Sequence, residues 1–315
     1  MATLEQAARI VYRHMPPTLQ HAWPLLRERA GAEVWVKHEN HTPIGAFKLR
    51  GGLVYLEDLR RRKPRATGVV CATRGNHGQS VAFAARALGL RAMIVVPHGN
   101  SVDKNRAMRA LGAELIERGH DFTAALAHAQ ELSASRGLEM MPSFDPLLVR
   151  GVATYGLELF RAAPGLDAVY VPIGLGSGIC GTIAARDALG LKAEVVGVVA
   201  ERAAAYALSF ANRKPVATNS ADTMADGMAV RVPDPAALDI ILKSCARVLT
   251  VSEDDIKAAM RAYFSDTHNV AEGAGAAPLA ALLQERAKMA GKKVGLILSG
   301  GNVDRDVYVA VLAAA

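Results

Sequence analysis

Short apolar runs alternate with amphipathic stretches along almost the whole chain, and this pattern limits the fold more than any other feature. Strand candidates are Val34-Val36, Gly68-Ala72, Ala92-Val96, Glu114-Ile116, Ala168-Ile173, Glu194-Ala200, Arg247-Val251 and Val294-Leu298. Between them, apolar residues recur at helical spacing. Val81, Ala84, Ala85 and Leu88 share one face, and Gly89 stops the run. Phe122, Ala125, Leu126, Ala129 and Leu132 repeat it, with Asp121 as N-cap and Gly137 as stop. Ser252 and Asp255 form a capping-box pattern, with aspartate in place of the usual glutamate. Strand–helix alternation predicts an α/β protein of parallel-rich twisted sheets flanked by helices.

A chain of 315 residues accommodates two lobes and a core that needs no cross-links. At 51% hydrophobic and 21% charged residues it has an ordinary globular composition. The net charge is +7, yet the one dense basic cluster, Arg60 to Arg65, ends a helical run without aromatic residues to stack bases. Nucleic acid is therefore not an expected partner. Nor is a membrane, because no apolar run approaches the roughly 18 residues that a span requires. No signal-peptide pattern opens the chain, and the expected compartment is the cytoplasm. Cys71, Cys180 and Cys245 are too few and too scattered for a disulfide framework or a zinc site. Chain crossings suit Gly51-Gly52 and Pro142 to Pro146, which would enclose a small α/β lobe at 51–145.

Three glycine-rich segments follow strand candidates. Thr73-Arg74-Gly75-Asn76-His77-Gly78 opens the helix of Val81, and Gly174-Leu175-Gly176-Ser177-Gly178 follows the strand Ala168-Ile173. Unpaired N–H groups at such strand-to-helix turns attract anions, and the alternative for each is a plain capped turn. Ser299-Gly300-Gly301-Asn302 follows the last strand, where a hydroxyl can face a heteroaromatic nitrogen. Upstream, Phe47-Lys48 lies between a polar loop and an apolar helix face. The second segment also supports a rival reading. Gly176, Gly178 and Gly181 spell G-x-G-x-x-G, with Glu201 about twenty residues on, as in NAD-dependent oxidoreductases.

Taken in order, Ala46-Phe47-Lys48-Leu49-Arg50-Gly51, Gly75-Asn76-His77-Gly78-Gln79, the loop 174–178 and Ser299 to Asn302 resemble the serine/threonine dehydratases. These are pyridoxal-phosphate enzymes of the tryptophan-synthase-β fold, fold type II, and the likeness runs from about Thr18 to Val307. It implies a two-lobed molecule: 1–50 and 146–315 as the large cofactor-binding domain, 51–145 as a small mobile domain. It implies pyridoxal 5'-phosphate as cofactor, carried by Lys48 as a Schiff base, with Lys48 later exchanging protons at the substrate's Cα. Phe47 would lie beside it, Asn76 would bond the ring hydroxyl, and Gly174, Leu175, Gly176, Ser177 and Gly178 would cradle the phosphate. Ser299 would face the pyridine nitrogen and Glu272 the ring edge. Thr73, Arg74, Gly75, Asn76, His77 and Gly227 would contact the amino-acid substrate, with Asp226 close by. A homodimer is implied.

The chain departs from the family pattern at several positions. Ala46 stands where serine is usual. Arg74 stands where serine is typical, the hydroxyl that serves racemases as a second acid/base; Arg74 either meets an anion in the pocket or makes a structural ion pair. Val199 and Ala205 replace carboxylates that bind a divalent cation in some relatives, so no metal is expected there. Gly151-Val152-Ala153-Thr154 departs from a Gly-Gln-Gly-Thr type sequence. No appended regulatory domain is expected after the last motif. The resulting expectation is elimination of water from a β-hydroxy-α-amino acid to a 2-oxo acid and ammonia. L-threonine or L-serine is the simplest substrate, and threo-3-phenylserine or 3-hydroxyaspartate a bulkier or acidic one. A racemase or β-replacement enzyme of the same fold is the alternative.

Overall fold

The computed structural model describes residues 1–314. Its strands are β1 (Gln20–Ala22), β2 (Glu33–His38), β3 (Gly68–Ala72), β4 (Arg91–Val96), β5 (Glu114–Glu117), β6 (Glu139–Met140), β7 (Ala168–Pro172), β8 (Glu194–Ala200), β9 (Arg247–Val251) and β10 (Lys293–Leu298). They form a six-stranded sheet, β1-β2-β10-β7-β8-β9, and a four-stranded sheet, β5-β4-β3-β6. Every pairing is parallel except that of β1 with β2. β1 and β6 escape sequence reading because they are short and carry no apolar run.

Helices cover both faces of each sheet, which is why the central strands are apolar throughout. Tyr170, Val196 and Val198 enter one core of the large sheet, and Val169, Val171 and Val195 the other. In the small sheet Val69, Cys71 and Ile94 face one core, Val70, Ala72 and Val95 its opposite. The three cysteines are buried free thiols. Asp121 caps its helix by accepting from Ala124 N at 2.8 Å, Gly137 ends it at φ +62°, and both bonds of the Ser252–Asp255 box are formed. The helix expected from Val81 starts earlier, at Asn76. His77, Gly78, Gln79 and Ser80 are buried, so packing makes helical a segment whose polar and glycine residues argue for a turn.

Strand order places the site. β2, β10 and β7 are neighbours, and ligands in open parallel sheets bind beyond the strands' carboxyl ends. The ends of these three strands lead to Lys48, Ser299 and the 174–178 loop respectively. The end of β3, interior to the small sheet, leads to the 73–78 turn.

Candidate active site

One cavity is lined by Phe47, Lys48, Thr73, Arg74, Gly75, Asn76 and His77 from one part of the chain. Gly174, Leu175, Gly176, Ser177, Gly178, Gly227 and Ser299 line it from the other. The residues that the resemblance assigns to cofactor and substrate thus meet in one place. Lys104, Asp226 and Glu272 join them.

Lys48 is the first residue of the helix Lys48–Arg62. The preceding loop is laced to the end of β10: Phe47 N donates to Ser299 O at 3.0 Å, and Gly301 N to Gly45 O at 2.9 Å. Ala46, where serine was expected, is held by its backbone instead. Thr42 Oγ1 accepts from Ala46 N at 2.9 Å and donates to Ala46 O at 2.8 Å. Phe47 packs edge-on against Tyr155 with centroids 6.0 Å apart, and Tyr155 OH donates to Gly178 O at 2.7 Å. Lysine segment and glycine loop are therefore braced against each other.

Lys48 Nζ has no hydrogen-bond partner among the described residues and lies 5.2 Å from the Phe47 ring centroid. Its half-buried side chain lines the cavity and the adjoining chamber. Burial pushes its ammonium down to about 8, against the opposing pull of Glu272. Two residues on, the wholly buried Arg50 donates to Glu39 at 2.7 and 2.9 Å and to Glu158 at 2.6 and 2.8 Å. Lys37 reaches Glu158 at 2.5 Å, so two buried cations face two buried carboxylates and the cluster is neutral. Thr154 also accepts from Arg50, at 2.9 Å, and a Cβ on Gly151 would come within 2.3 Å of Arg50 O. The glycine and threonine retained in the altered 151–154 segment are thus the ones that fit it to the lysine helix.

The backbone N–H groups of 174–178 have no protein partner among the described residues. They open the buried helix Ser177–Ala188, whose positive end adds to their attraction for a dianion. Gly176 has φ +103°, and a Cβ on Gly174 would meet Gly227 O at 2.2 Å. Gly181, the last glycine of the nucleotide-type pattern, serves helix packing, because a Cβ there would meet Ala153 N at 2.9 Å. Glu201 is exposed and does not line the cavity. Ser299 is buried beside Lys48, and its hydroxyl has no protein partner among the described residues.

Asn76 is held at both ends of its amide. Its Nδ2 donates to Glu272 Oε1 at 2.8 Å, and its Oδ1 accepts from Asn302 Nδ2 at 2.8 Å. One N–H remains for another acceptor. Burial pushes Glu272 up to about 7, while Lys104 and Asn76 pull it down. Burial, helped by the Lys48 charge, takes His77 down to about 3, so the ring is neutral, and its buried Nε2 lacks a protein partner. Thr73 Oγ1 accepts from Gly75 N at 3.0 Å and Gly78 N at 3.3 Å and shapes the turn. Arg74 is exposed and takes no ion-pair partner among the described residues; it lines both this cavity and an adjoining chamber.

Lys104 carried no sequence signal. It sits in a polar helix, Val102–Ala110, yet is buried with its ammonium 2.9 Å from Asp226. Asn302 was visible as a motif residue but not as the partner of Asn76.

An unpaired amine of lowered basicity, an anion cradle, a free hydroxyl and an amide donor fit a phosphorylated pyridine aldehyde. The comparisons agree. The profile of pyridoxal-phosphate dependent enzymes matches residues 12–300. The L-threonine ammonia-lyase of Thermotoga maritima is 34% identical over 281 residues, 89% of this chain and 70% of that protein. Threonine deaminase isoform 2 from Solanum lycopersicum superposes with a TM-score of 0.91 at 30% identity, covering 100% of this chain and 94% of that one. A pyridoxal 5'-phosphate-dependent aspartate racemase does so with 0.91 at 30% identity, over 97% and 96%. The chain belongs to the pyridoxal-phosphate dependent enzymes, and its fold is fold type II. Within that family its homologues include enzymes named L-threonine ammonia-lyases and dehydratases.

Proposed function

We propose that the protein is an ammonia-lyase that removes water from a β-hydroxy-α-amino acid and yields a 2-oxo acid and ammonia. The carrying observation is Lys48: a cavity-facing amine without a partner among the described residues, its pKa lowered to about 8, beside the 174–178 loop. Bound pyridoxal phosphate supplies the electron sink that stabilises negative charge at Cα. The 174–178 N–H groups hold its phosphate, Asn76 its ring hydroxyl and Ser299 its ring nitrogen. The 73–77 turn, at the start of the helix Asn76–Ala87, receives the substrate carboxylate. Lys48 Nζ takes the Cα proton. With water lost across Cα–Cβ, the enamine tautomerises and hydrolyses to the oxo acid and ammonia.

The chamber beside Lys48 has room for a side chain larger than that of threonine. It measures about 560 Å³ and is walled by Phe122, Leu175, Val230 and Val232, with Arg74 and Arg231 on its rim. This admits threo-3-phenylserine or 3-hydroxyaspartate beside L-threonine and L-serine. Arg74, with no hydroxyl to return a proton from a second face, supports elimination over racemisation. A panel of these amino acids, assayed for oxo acid and for loss of optical activity, tests the reading. Purified protein reconstituted with the cofactor is expected to be yellow and to form oxo acid. Racemisation without ammonia would overturn the assignment.

We further read the enzyme as a cytoplasmic homodimer, as the family resemblance implies; sedimentation at micromolar concentration checks the dimer. The division into 1–50 with 146–315 and a mobile lobe at 51–145 is supported by the separate sheets. Ser101 bonded to Asp304 and Lys104 bonded to Asp226 would then join the two lobes.

A further inference from the structure

The helix Asn76–Ala87 begins with an amide that lines the cavity and, one turn on, sets a serine against the lysine segment. Ser80 is 0% exposed, and its Oγ donates to the Lys48 carbonyl oxygen at 2.7 Å. A serine inside a helix can bond back to the carbonyl four residues earlier. Ser80 donates across to a second helix instead. Residues four apart share a helix face, so Asn76 and Ser80 leave one rigid element on the same side.

Gly52 makes the contact possible. A Cβ there would lie 2.2 Å from Ser80 Oγ, while the next atom it would meet, Ser80 O, is 3.3 Å away. The first turn of the helix Lys48–Arg62 thus lacks a side chain where the serine hydroxyl enters it. The two residues form a matched pair: the one is small because the other reaches in.

The chemistry of the cofactor gives this tie a use. The aldehyde and the hydroxyl of pyridoxal stand on adjacent ring carbons. An amine that takes the aldehyde and an amide that meets the hydroxyl must therefore keep one spacing. Lys48 and Asn76 come from different helices. Asn76 is already fixed by Glu272 and Asn302, each at 2.8 Å. Lys48 Nζ has no hydrogen-bond partner among the described residues, so its place is set through its backbone. Phe47 N bonded to Ser299 O holds that backbone towards the end of β10, and Ser80 holds it towards the helix of Asn76.

We propose that Ser80 is a positioning residue: by tying the Lys48 carbonyl to the helix of Asn76, it matches the spacing of amine and amide to that of the cofactor's aldehyde and hydroxyl, with Gly52 giving it room. The inference rests on the cofactor site of the proposed function.

The test compares two ligands on the apoprotein by equilibrium dialysis: pyridoxal 5'-phosphate, and pyridoxine 5'-phosphate, which has an alcohol in place of the aldehyde. Ser80→Ala is expected to weaken pyridoxal phosphate roughly two- to tenfold, the range for one neutral hydrogen bond. Pyridoxine phosphate keeps its wild-type Kd, because the 174–178 loop, Asn76 and Ser299 stay in place and the amine takes no part. Gly52→Ala, which pushes the hydroxyl off the carbonyl, is expected to give the same split between the ligands. Ser80→Ala added to it brings little further loss, since both changes act on one contact. Gly52→Ala carries the comparison alone if Ser80→Ala does not fold. Equal weakening of both ligands would reduce Ser80 to packing and overturn the proposal. Wild-type affinity for both in a folded Ser80→Ala protein, or full additivity in the double mutant, would overturn it as well. Wild-type apoprotein that takes up neither ligand would instead overturn the cofactor assignment, and the proposal with it.

Discussion

An exposed lysine keeps its proton to about pH 10.4, and water rather than the protein decides its reactivity. Lys48 faces the cavity, has no partner among the described residues and is lowered to about 8. Deprotonation is the reactive step for an amine, so capture of pyridoxal phosphate by apoprotein, fixed with borohydride, is expected to rise between pH 7 and 9. Exposed lysines give their rise above pH 9, which sets the two apart in a peptide-mapped pH profile. Lys48→Ala is expected to keep its circular dichroism and melting behaviour while losing both the trapped cofactor and turnover. The residue type and its neighbours Phe47 and Arg50 were readable as a motif. The lowered basicity was not, because it comes from walls supplied by segments far apart in the sequence.

At the scale of the element, the helix of Lys48 is positioned by Arg50 and the helix Ser177–Ala188 by Gly176. Removing one member of a buried ion cluster leaves its partners uncompensated, typically at about 3–5 kcal/mol. Arg50→Met is expected to lose stability of that order in urea unfolding, and to weaken cofactor retention because Lys48 lies two residues away. Gly176→Ala places an L side chain at φ +103° with its Cβ 2.6 Å from Ala237 Cβ. The left-handed backbone alone costs about 1–2 kcal/mol, and the contact adds to it. Cofactor affinity measured by dialysis is expected to fall, since the N–H groups on either side must move. Periodicity foretold the helix of Ala125 and Ala129 with both its caps. It misplaced the start of the helix after β3, because burial of His77 to Ser80 outweighs their weak helical preference.

At the scale of the whole molecule, the proposed substrate specificity rests on the chamber between the 73–77 turn and the 219–232 segment. Arg74→Ser is expected to lower kcat/KM for an acidic substrate about tenfold or more, the loss of one charge-assisted hydrogen bond. The same change should leave L-threonine nearly unaffected, which a parallel oxo-acid assay of the two substrates reads directly. The sequence by itself determined the fold class and singled out Lys48, the 174–178 loop and Ser299, which line one cavity. It did so because strand–helix alternation and glycine-rich turns are local patterns with local physical causes. Only the tertiary structure decided that Arg74 has no carboxylate partner among the described residues, that Asn302 and Glu272 hold the Asn76 amide, and that Lys104 reaches the cavity. Those outcomes depend on which strands become neighbours and which side chains lose their water, and neither is written in any one segment.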